Sequence, residues 1–277
     1  MKAHIITAIK AFFVGASMTL PGISGGTTAI ILNIYDRLIQ AVSGLLSPKT
    51  FLENLKKNFW FLAIFAVSAV LGLMTLSKAL LFVTEKVPIP MHFLFTGAVL
   101  GSLPMLWKKT ESKKASPKIL ISILAGFAMV FVIDLIPPLS SDVTNLADGL
   151  GFTEIITFLV SGVVLAFALI LPGISFSHML LVMGIYETFY ESLNSLNIPF
   201  LALIGVSLLI GIALLIKILA LSMEKFPQIS YSVIIGFVIG SIKDLYIGLP
   251  TGWMIPVSIL TLIGGFSLVY AISLKEN

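Results

Sequence analysis

Long runs of apolar residues alternate with short polar stretches along this chain, and the pattern predicts a bundle of membrane helices. Most runs approach or exceed the roughly 20 residues that an α-helix needs to cross a bilayer. They form two sets of five, which cover residues 5–20, 24–46, 59–83, 91–107 and 119–136, and then 153–171, 176–196, 200–223, 229–246 and 254–274. The expected fold class is therefore an all-α polytopic membrane protein.

The second set of segments repeats the first. Leu-Pro-Gly-Ile-Ser at 20–24 returns at 171–175, an offset of 151 residues. From the third segment onward the offset is 139, because the first copy carries a longer basic loop. The matches at this second offset include Gly72 with Gly211, Lys78 with Lys217, Gly97 with Gly236, Gly101 with Gly240 and Gly126 with Gly265. We therefore expect two repeats, 1–138 and 153–277, joined by an extracytoplasmic linker at 139–152.

The two repeats are expected to run through the membrane in opposite directions. Each copy has an odd number of crossings, whether it contains five full crossings or three crossings and a re-entrant hairpin. Placing the basic loop 108–118 in the cytoplasm leaves most other loop lysines there and the lysine-free loop 139–152 outside, with both termini cytoplasmic. We favour re-entrant hairpins, since a half-helix of about 15 residues climbs only about 22 Å. Ten full crossings stay open, because segments 24–46 and 176–196 are longer than that.

Each Leu-Pro-Gly-Ile-Ser motif predicts a broken helix inside the membrane. Proline lacks the backbone donor that a helix interior needs, and glycine loosens the turn further. A broken helix leaves polar backbone groups that lipid cannot satisfy, so each break should face a protein-lined or wet cavity. The serine that ends each motif is a good N-cap for the next half-helix. We expect two such apices near the membrane midplane.

Composition supports the membrane class and excludes several others. Hydrophobic residues make up 58% of the chain and charged residues 11%, against roughly 25% charged in soluble domains. There is no cysteine, and the three histidines are far apart in the sequence, so we expect neither a metal site nor a cofactor. The net charge of +4 comes from lysines in short membrane loops and does not indicate a nucleic-acid partner. An N-terminal signal peptide is rejected, because the equivalent segment recurs in the middle of the chain.

The apices are the candidate substrate site. Helix N-termini present unpaired N–H groups and a positive dipole end, and they bind anions, above all phosphate. Glycines allow close backbone approach, hydroxyls bond ligand oxygens, and a histidine can donate to phosphate or carry a proton. The alternative is that these small residues only allow close helix packing. The candidate phosphate ligands are Ser24, Gly25, Gly26, Thr27 and Thr28 in the first apex and Ser175, Ser177 and His178 in the second.

Charged residues within the apolar segments are further candidates. Arg37 is the only arginine in the chain and could bind phosphate through two nitrogens, or it could be one half of an interfacial pair that snorkels. Asp36 and Glu187 occupy equivalent places in the two copies, as do Lys78 and Lys217, and all four are candidates for coupling or gating. For the lysines, snorkelling is an equal alternative.

The motifs also resemble a known family. Leu-Pro-Gly-Ile-Ser-Gly-Gly-Thr at 20–27 and Ile-Tyr-Asp-Arg-Leu at 34–38, with their second-copy counterparts at 171–175 and 184–187, are similar to the bacterial polyprenyl-phosphate transporters. That family was formerly known as a domain of unknown function. The resemblance implies a flippase that returns undecaprenyl phosphate from the outer to the inner leaflet of the plasma membrane for cell-wall synthesis. Positions that match the family pattern are Ser24, Gly25, Gly26, Thr27, Arg37 and Ser175, whereas Phe176 and His178 depart from it.

The expected function is therefore that of a transporter and not of an enzyme. Its partners would be a polyprenyl-phosphate lipid, the surrounding membrane lipids and a coupling proton or sodium ion, with a homo-oligomer left open. Its location would be a bacterial or archaeal plasma membrane. The main alternative is an ion-coupled transporter of a small soluble anion. A membrane phosphatase is less favoured, since one arginine and three scattered histidines offer no nucleophile and base set, and a purely structural role explains neither apex.

Overall fold

The computed structural model describes residues 2–18, 24–112, 114, 116–135 and 152–275, and every regular element in this part of the chain is a helix. The all-α prediction is confirmed. In chain order the helices are α1 (Lys2–Ser17), α2 (Gly25–Ile31), α3 (Tyr35–Leu45), a 3₁₀ turn (Pro48–Thr50), α4 (Phe51–Lys86), α5 (Pro88–Lys109), α6 (Pro117–Asp134), α7 (Phe152–Ile170), α8 (Phe176–Val182), α9 (Tyr186–Ser195), α10 (Ile198–Lys225), α11 (Pro227–Gly240), α12 (Ile242–Leu245) and α13 (Met254–Lys275).

Within the described residues, five stretches of this helical bundle are long and apolar enough to cross a membrane. They are α4, α5, α10, α13, and α11 taken together with α12. Three further helices, α1, α6 and α7, are apolar but shorter. Large apolar side chains such as Ile121, Leu209 and Leu260 are exposed on their outer faces, as expected for surfaces that contact lipid tails. A multi-pass membrane protein is confirmed, whereas the count of six crossings and two re-entrant hairpins stays a prediction.

The second segment of each hairpin is divided into two helices, where the sequence predicts one. Asn33 lies between α2 and α3 with φ 49°, and Gly184 lies between α8 and α9 with φ 69°. A left-handed residue interrupts a right-handed helix, and asparagine and glycine are the residues that adopt this conformation most readily. At seven residues each, α2 and α8 rise about 10 Å and are too short to cross the bilayer alone.

The two copies use the same helix pairs, but each copy exchanges its last helix with the other. Within the copies, α1 packs along α4 and α7 packs along α10. Between the copies, α5 of the first packs with α13 of the second, and α6 of the first packs with α11 of the second. The core therefore contains residues of both repeats. Residues 139–151 of the predicted linker at 139–152 lie outside the described part of the chain, and its last residue, Phe152, begins α7.

The contacts of two equivalent glycines show that the exchange of helices follows the sequence repeat. A Cβ atom on Gly97 would collide with the backbone oxygen of Leu262, and one on Gly236 would collide with that of Ile123. Leu262 and Ile123 are themselves equivalent at the offset of 139. Such reciprocal contacts are those of two copies related by a two-fold operation. The direction in which each copy crosses the membrane stays a prediction.

Candidate functional site

The two apices are in direct contact. Thr27 Oγ1, on the first turn of α2, accepts a hydrogen bond of 2.8 Å from the backbone N–H of Gly173. A Cβ atom on Gly26 would lie 3.1 Å from the Cα atom of Pro172, so only glycine fits there without displacing backbone. Residues 19–23 of the first motif lie outside the described part of the chain, and its described residues resume at Ser24.

The second apex turns at a glycine that no other residue could replace without strain. Helix α7 ends at Ile170, and Gly173 has φ 83°. A Cβ atom on Gly173 would also collide with the backbone oxygen of Phe237 in α11. The turn of the second apex therefore packs against α11, a helix of the same copy.

A tyrosine provides a second link between the hairpins. Tyr35, the first residue of α3, is 3% exposed and its hydroxyl donates to the backbone oxygen of Ile170 at 2.7 Å. The end of a helix leaves carbonyl oxygens without intrahelical partners, and Tyr35 satisfies one of them at the end of α7. The sequence analysis placed Tyr35 only within the motif at 34–38 and did not assign it this role.

The two N-cap serines behave differently. Ser175 Oγ accepts a hydrogen bond from the backbone N–H of His178, as the capping prediction requires. Ser24 occupies the N-cap position of α2 but makes no capping bond. It is 5% exposed, and its hydroxyl has no partner among the described residues. Leaving a buried hydroxyl unsatisfied costs about 1–3 kcal/mol, and the ligand role predicted for Ser24 stays a prediction.

A small network of hydroxyl groups lies beside Ser24. Ser17 Oγ, at the end of α1, donates a hydrogen bond of 2.8 Å to Thr28 Oγ1. Thr28 Oγ1 in turn donates to the backbone oxygen of Ser24 at 3.3 Å. Sequence reasoning found Thr27 and Thr28 but missed Ser17. A serine at the end of an apolar run is the only signal that could have indicated it.

This network opens onto a cavity of about 280 Å³. Four hydroxyl-bearing residues line it, namely Ser17, Thr27, Thr28 and Ser241. The rest of the wall is apolar and comes from α1, α2, α4, α5, α12 and α13. No charged side chain belongs to the lining, as far as the described residues extend. The cavity therefore combines a cluster of hydroxyls with a hydrophobic interior.

A second cavity of about 230 Å³ lies on the opposite side of α2. Gly25 and Gly26 line it together with Tyr35 and apolar residues of α1, α3, α4, α7 and α10. Helix α2 thus separates a hydroxyl-bearing cavity from an almost wholly apolar one.

The other predicted site residues have separate surroundings. The Arg37 guanidinium is exposed and lies 4.1 Å from the centre of the Phe61 ring on α4. Phe176, which stands where the first copy has Gly25, packs edge-to-face on Phe189 at 5.9 Å. His178 is half-buried and shares a small cavity with Ser175 and Asp244.

The four candidate gating residues have unequal surroundings. Asp36 forms an ion pair with Lys109 at 2.6 Å. Glu187 and Lys217 are exposed. The side chains of Lys78 and of the candidate ligand Ser177 lie outside the described part of the structure.

The fold defines the class as a multi-pass membrane protein in which the two interrupted helical segments meet where Thr27 contacts Gly173. Residues 14–254 match the model of the family described as undecaprenyl phosphate translocase-like. The chain belongs to this family.

Two characterised relatives agree. The chain is 32% identical to the polyprenyl-phosphate transporter of Staphylococcus aureus (strain NCTC 8325 / PS 47) over 274 residues, which cover 94% of this chain and 93% of that protein. It is 26% identical to the polyprenyl-phosphate transporter of Vibrio cholerae serotype O1 (strain ATCC 39315 / El Tor Inaba N16961) over 256 residues, which cover 88% of this chain and 78% of that protein. No solved structure matches the chain.

Proposed function

We propose that this protein carries undecaprenyl phosphate from the outer to the inner leaflet of the plasma membrane, so that the carrier lipid returns to cell-wall synthesis. Family membership and the names of the two relatives support a polyprenyl phosphate as the substrate. The observation that carries the proposal is the cavity of about 280 Å³, which places a cluster of hydroxyls beside the contact of the apices and is otherwise apolar.

The chemistry of the cavity suits a lipid phosphate. The hydroxyl of Thr27 can donate to a phosphate oxygen, and those of Ser17 and Thr28 can do so if they exchange their present acceptors for the phosphate. Ser24 lies beside this network but outside the cavity lining, and its hydroxyl, unpartnered among the described residues, would add a further donor. The apolar walls suit the first isoprene units. The cavity is far smaller than an undecaprenyl chain, so the remainder of the tail would stay among the membrane lipids.

The negative charge of the phosphate would be stabilised by groups at more than one point of the transport path. No cationic side chain lines the cavity in the described part of the chain, and a buried phosphate without partners is costly. The backbone N–H groups of Gly25 and Gly26 and the second-apex residues Ser175, Ser177 and His178 remain our candidates at the apices. Arg37 is better placed as a contact at the cytoplasmic mouth, because it is exposed on α3 and its guanidinium lies against Phe61 of α4.

The mechanism of transport would depend on the opposite orientation of the two repeats. Two oppositely oriented hairpins can expose one site first to one leaflet and then to the other, as in transporters built from inverted repeats. Lys78 and Lys217 would attract the headgroup at the two mouths. A proton or sodium ion would drive the cycle, and His178 beside Asp244 is the candidate proton carrier.

The apolar walls also distinguish this proposal from transport of a small soluble anion. A soluble anion would be expected to cross through a cavity lined mostly by polar or charged groups, whereas here the hydroxyls occupy one part of a hydrophobic cavity. An amphiphile uses both parts.

Ser24→Ala provides the sharpest test, because the Ser24 side chain makes no hydrogen bond to any described residue that the substitution would remove. Protein is reconstituted with radiolabelled undecaprenyl phosphate, and an impermeant phosphatase added outside releases phosphate from the outer leaflet alone. With the wild type, we expect the whole lipid pool to become accessible. Ser24→Ala should slow this by about tenfold or more, the effect of losing one hydrogen bond to a charged group, while thermal stability is unchanged.

Ser258→Ala is the matched control, since Ser258 Oγ is also buried and unpartnered among the described residues but lies on α13 away from the cavity lining. It should transport like the wild type. Equal activity of the two variants would contradict the proposed site. Competition by excess inorganic phosphate would favour the soluble-anion alternative, and phosphate release without added phosphatase would indicate an enzyme.

A further inference from the structure

A polar cluster fastens the first hairpin to both copies of the repeat. Asp36 Oδ2 accepts hydrogen bonds from Lys109 Nζ at 2.6 Å and from the Tyr231 hydroxyl at 2.9 Å. Lys109 Nζ also donates to Asn33 Oδ1 at 3.0 Å. These residues come from the start of α3, the turn before it, the end of α5 and the first turns of α11. We call this set the Asp36 cluster.

The second copy has an equivalent of every residue in the Asp36 cluster, but the types differ. Applying the offsets of 151 and 139 gives Glu187 for Asp36, Gly184 for Asn33, Gly248 for Lys109 and His92 for Tyr231. Asn33 and Gly184 both have a left-handed backbone, so the two hairpins turn alike at this point. Glu187 nevertheless is exposed, whereas Asp36 is half-buried in its cluster. The second copy thus contains the parts of an equivalent cluster that is not assembled.

A cavity of about 90 Å³ occupies the equivalent place in the second copy. His92 and Gly248, the equivalents of Tyr231 and Lys109, both line it. His92 is 7% exposed, and its Nδ1 atom is buried with no partner among the described residues. In the first copy, the corresponding position between Tyr231 and Lys109 is filled by the Asp36 carboxylate.

We propose that Glu187 enters this cavity and hydrogen-bonds to His92 Nδ1 in a second conformation of the protein, in which the Asp36 cluster is open. Glutamate is one methylene longer than aspartate, and Gly248 leaves free the space that a lysine stem would take. His92 then takes the place of Lys109, because an imidazole N–H at Nδ1 donates to a carboxylate. We call the Asp36 cluster and the Glu187–His92 hydrogen bond the two latches. The protein alternates between them, and the present structure is the state with the Asp36 latch closed.

This inference rests on the proposed transport cycle and adds its two gates. By the lysine distribution, Asp36 lies toward the cytoplasm and Glu187 toward the outside. The present structure would then be closed at the cytoplasmic hairpin and open at the outer one. Binding of substrate from the outer leaflet would precede exchange of the latches.

Cysteine cross-linking tests the inference directly, because the natural chain contains no cysteine. His92→Cys is combined with Glu187→Cys in the full-length protein in membranes, and a short bifunctional maleimide is added. The matched control combines His92→Cys with Ser195→Cys, which is exposed on the same helix two turns away. We expect cross-linking of positions 92 and 187, read on a gel, and little cross-linking of positions 92 and 195.

Weakening the Asp36 cluster should favour the second conformation. Lys109→Met in the 92/187 background should raise the cross-linking rate by roughly tenfold, the population change expected when one state loses a charge-assisted hydrogen bond. Tyr231→Phe removes a single bond and should have the same effect on a smaller scale, even where Lys109→Met folds poorly. A 92/187 yield no greater than that of 92/195, or a rate unaffected by both substitutions, would overturn the inference. The gel needs no lipid, so a failure of the proposed substrate would leave this result unchanged.

Discussion

At the scale of single residues, Gly26 is the position where the two apices come closest. The atoms nearest to an added Cβ are the backbone Cα and N of Pro172, at 3.1 and 3.2 Å. Backbone cannot move aside as a flexible side chain can. The identity of this residue therefore sets the distance between the apices, and with it the geometry of the hydroxyl cluster.

Gly26→Ala should separate the apices, whereas Gly25→Ala should not. A Cβ on Gly25 would meet only the side chain of Met18, at 3.0 Å, and methionine adapts easily. We expect Gly26→Ala to lower the free energy of unfolding by about 1–3 kcal/mol, as for overpacked cores, and to slow lipid translocation severalfold. Thermal unfolding in detergent and the phosphatase assay measure both effects. Indistinguishable stability and transport for the two variants would show that the apices are not in contact.

Residues within the motifs could be predicted from the sequence, and their partners could not. Ser24, Gly26 and Thr27 stand out because they follow a Pro-Gly break inside an apolar run. Ser17 and Tyr231 do not, because their roles depend on contacts with α2 and α3 that form only in the folded chain. Asp36 was recognised as a candidate gate, but its lysine partner lies 73 residues away in the sequence.

At the scale of elements, hydrophobic runs predicted most of the long helices to within a few residues, but α4 (Phe51–Lys86) begins eight residues before the predicted run at 59–83. The run at 200–223 became α10 (Ile198–Lys225), and the run at 254–274 became α13 (Met254–Lys275). The predicted single helices at 24–46 and 176–196 were wrong, since each is divided by a left-handed residue. Gly184 was the available signal for that division, but Asn33, the less obvious equivalent, gave little indication on its own.

Adjacent glycines on α13 allow the exchange of helices between copies to be tested. A Cβ on Gly265 would collide with the backbone oxygen of Leu94 in α5, whereas a Cβ on Gly264 would meet nothing within 4 Å. We expect Gly265→Ala to destabilise the protein by about 1–3 kcal/mol, because two helix backbones must separate. Gly264→Ala should change stability by less than about 1 kcal/mol.

Thermal unfolding of the two purified variants, compared with the wild type in one detergent, provides the measurement. Equal melting temperatures for the two variants would contradict close packing of α13 on α5.

At the scale of the whole molecule, the repeat could be predicted but the way its copies interlock could not. Offsets of 151 and 139 identify equivalent residues, such as Gly97 and Gly236. They do not reveal that each of these glycines packs on the last helix of the other copy. That choice depends on the lengths of the connections and the fit of helix faces in three dimensions. Because of this exchange, residues of both copies form the candidate site. Helix α5 of the first copy packs on the last helix of the second, and α11 of the second packs on the last helix of the first.

The central claim is that the two copies cross the membrane in opposite directions around one shared site. Lys114 and Trp253 test it most directly, since they are equivalent at the offset of 139 and both are exposed in their loops. Each is changed to cysteine separately in the naturally cysteine-free chain, and right-side-out membrane vesicles are treated with an impermeant thiol reagent. We predict that Trp253→Cys is labelled in sealed vesicles and that Lys114→Cys is labelled only after the vesicles are permeabilised. Labelling of both cysteines from the same side would mean that the copies run in parallel, and one site could not then be presented to each leaflet in turn by equivalent hairpins.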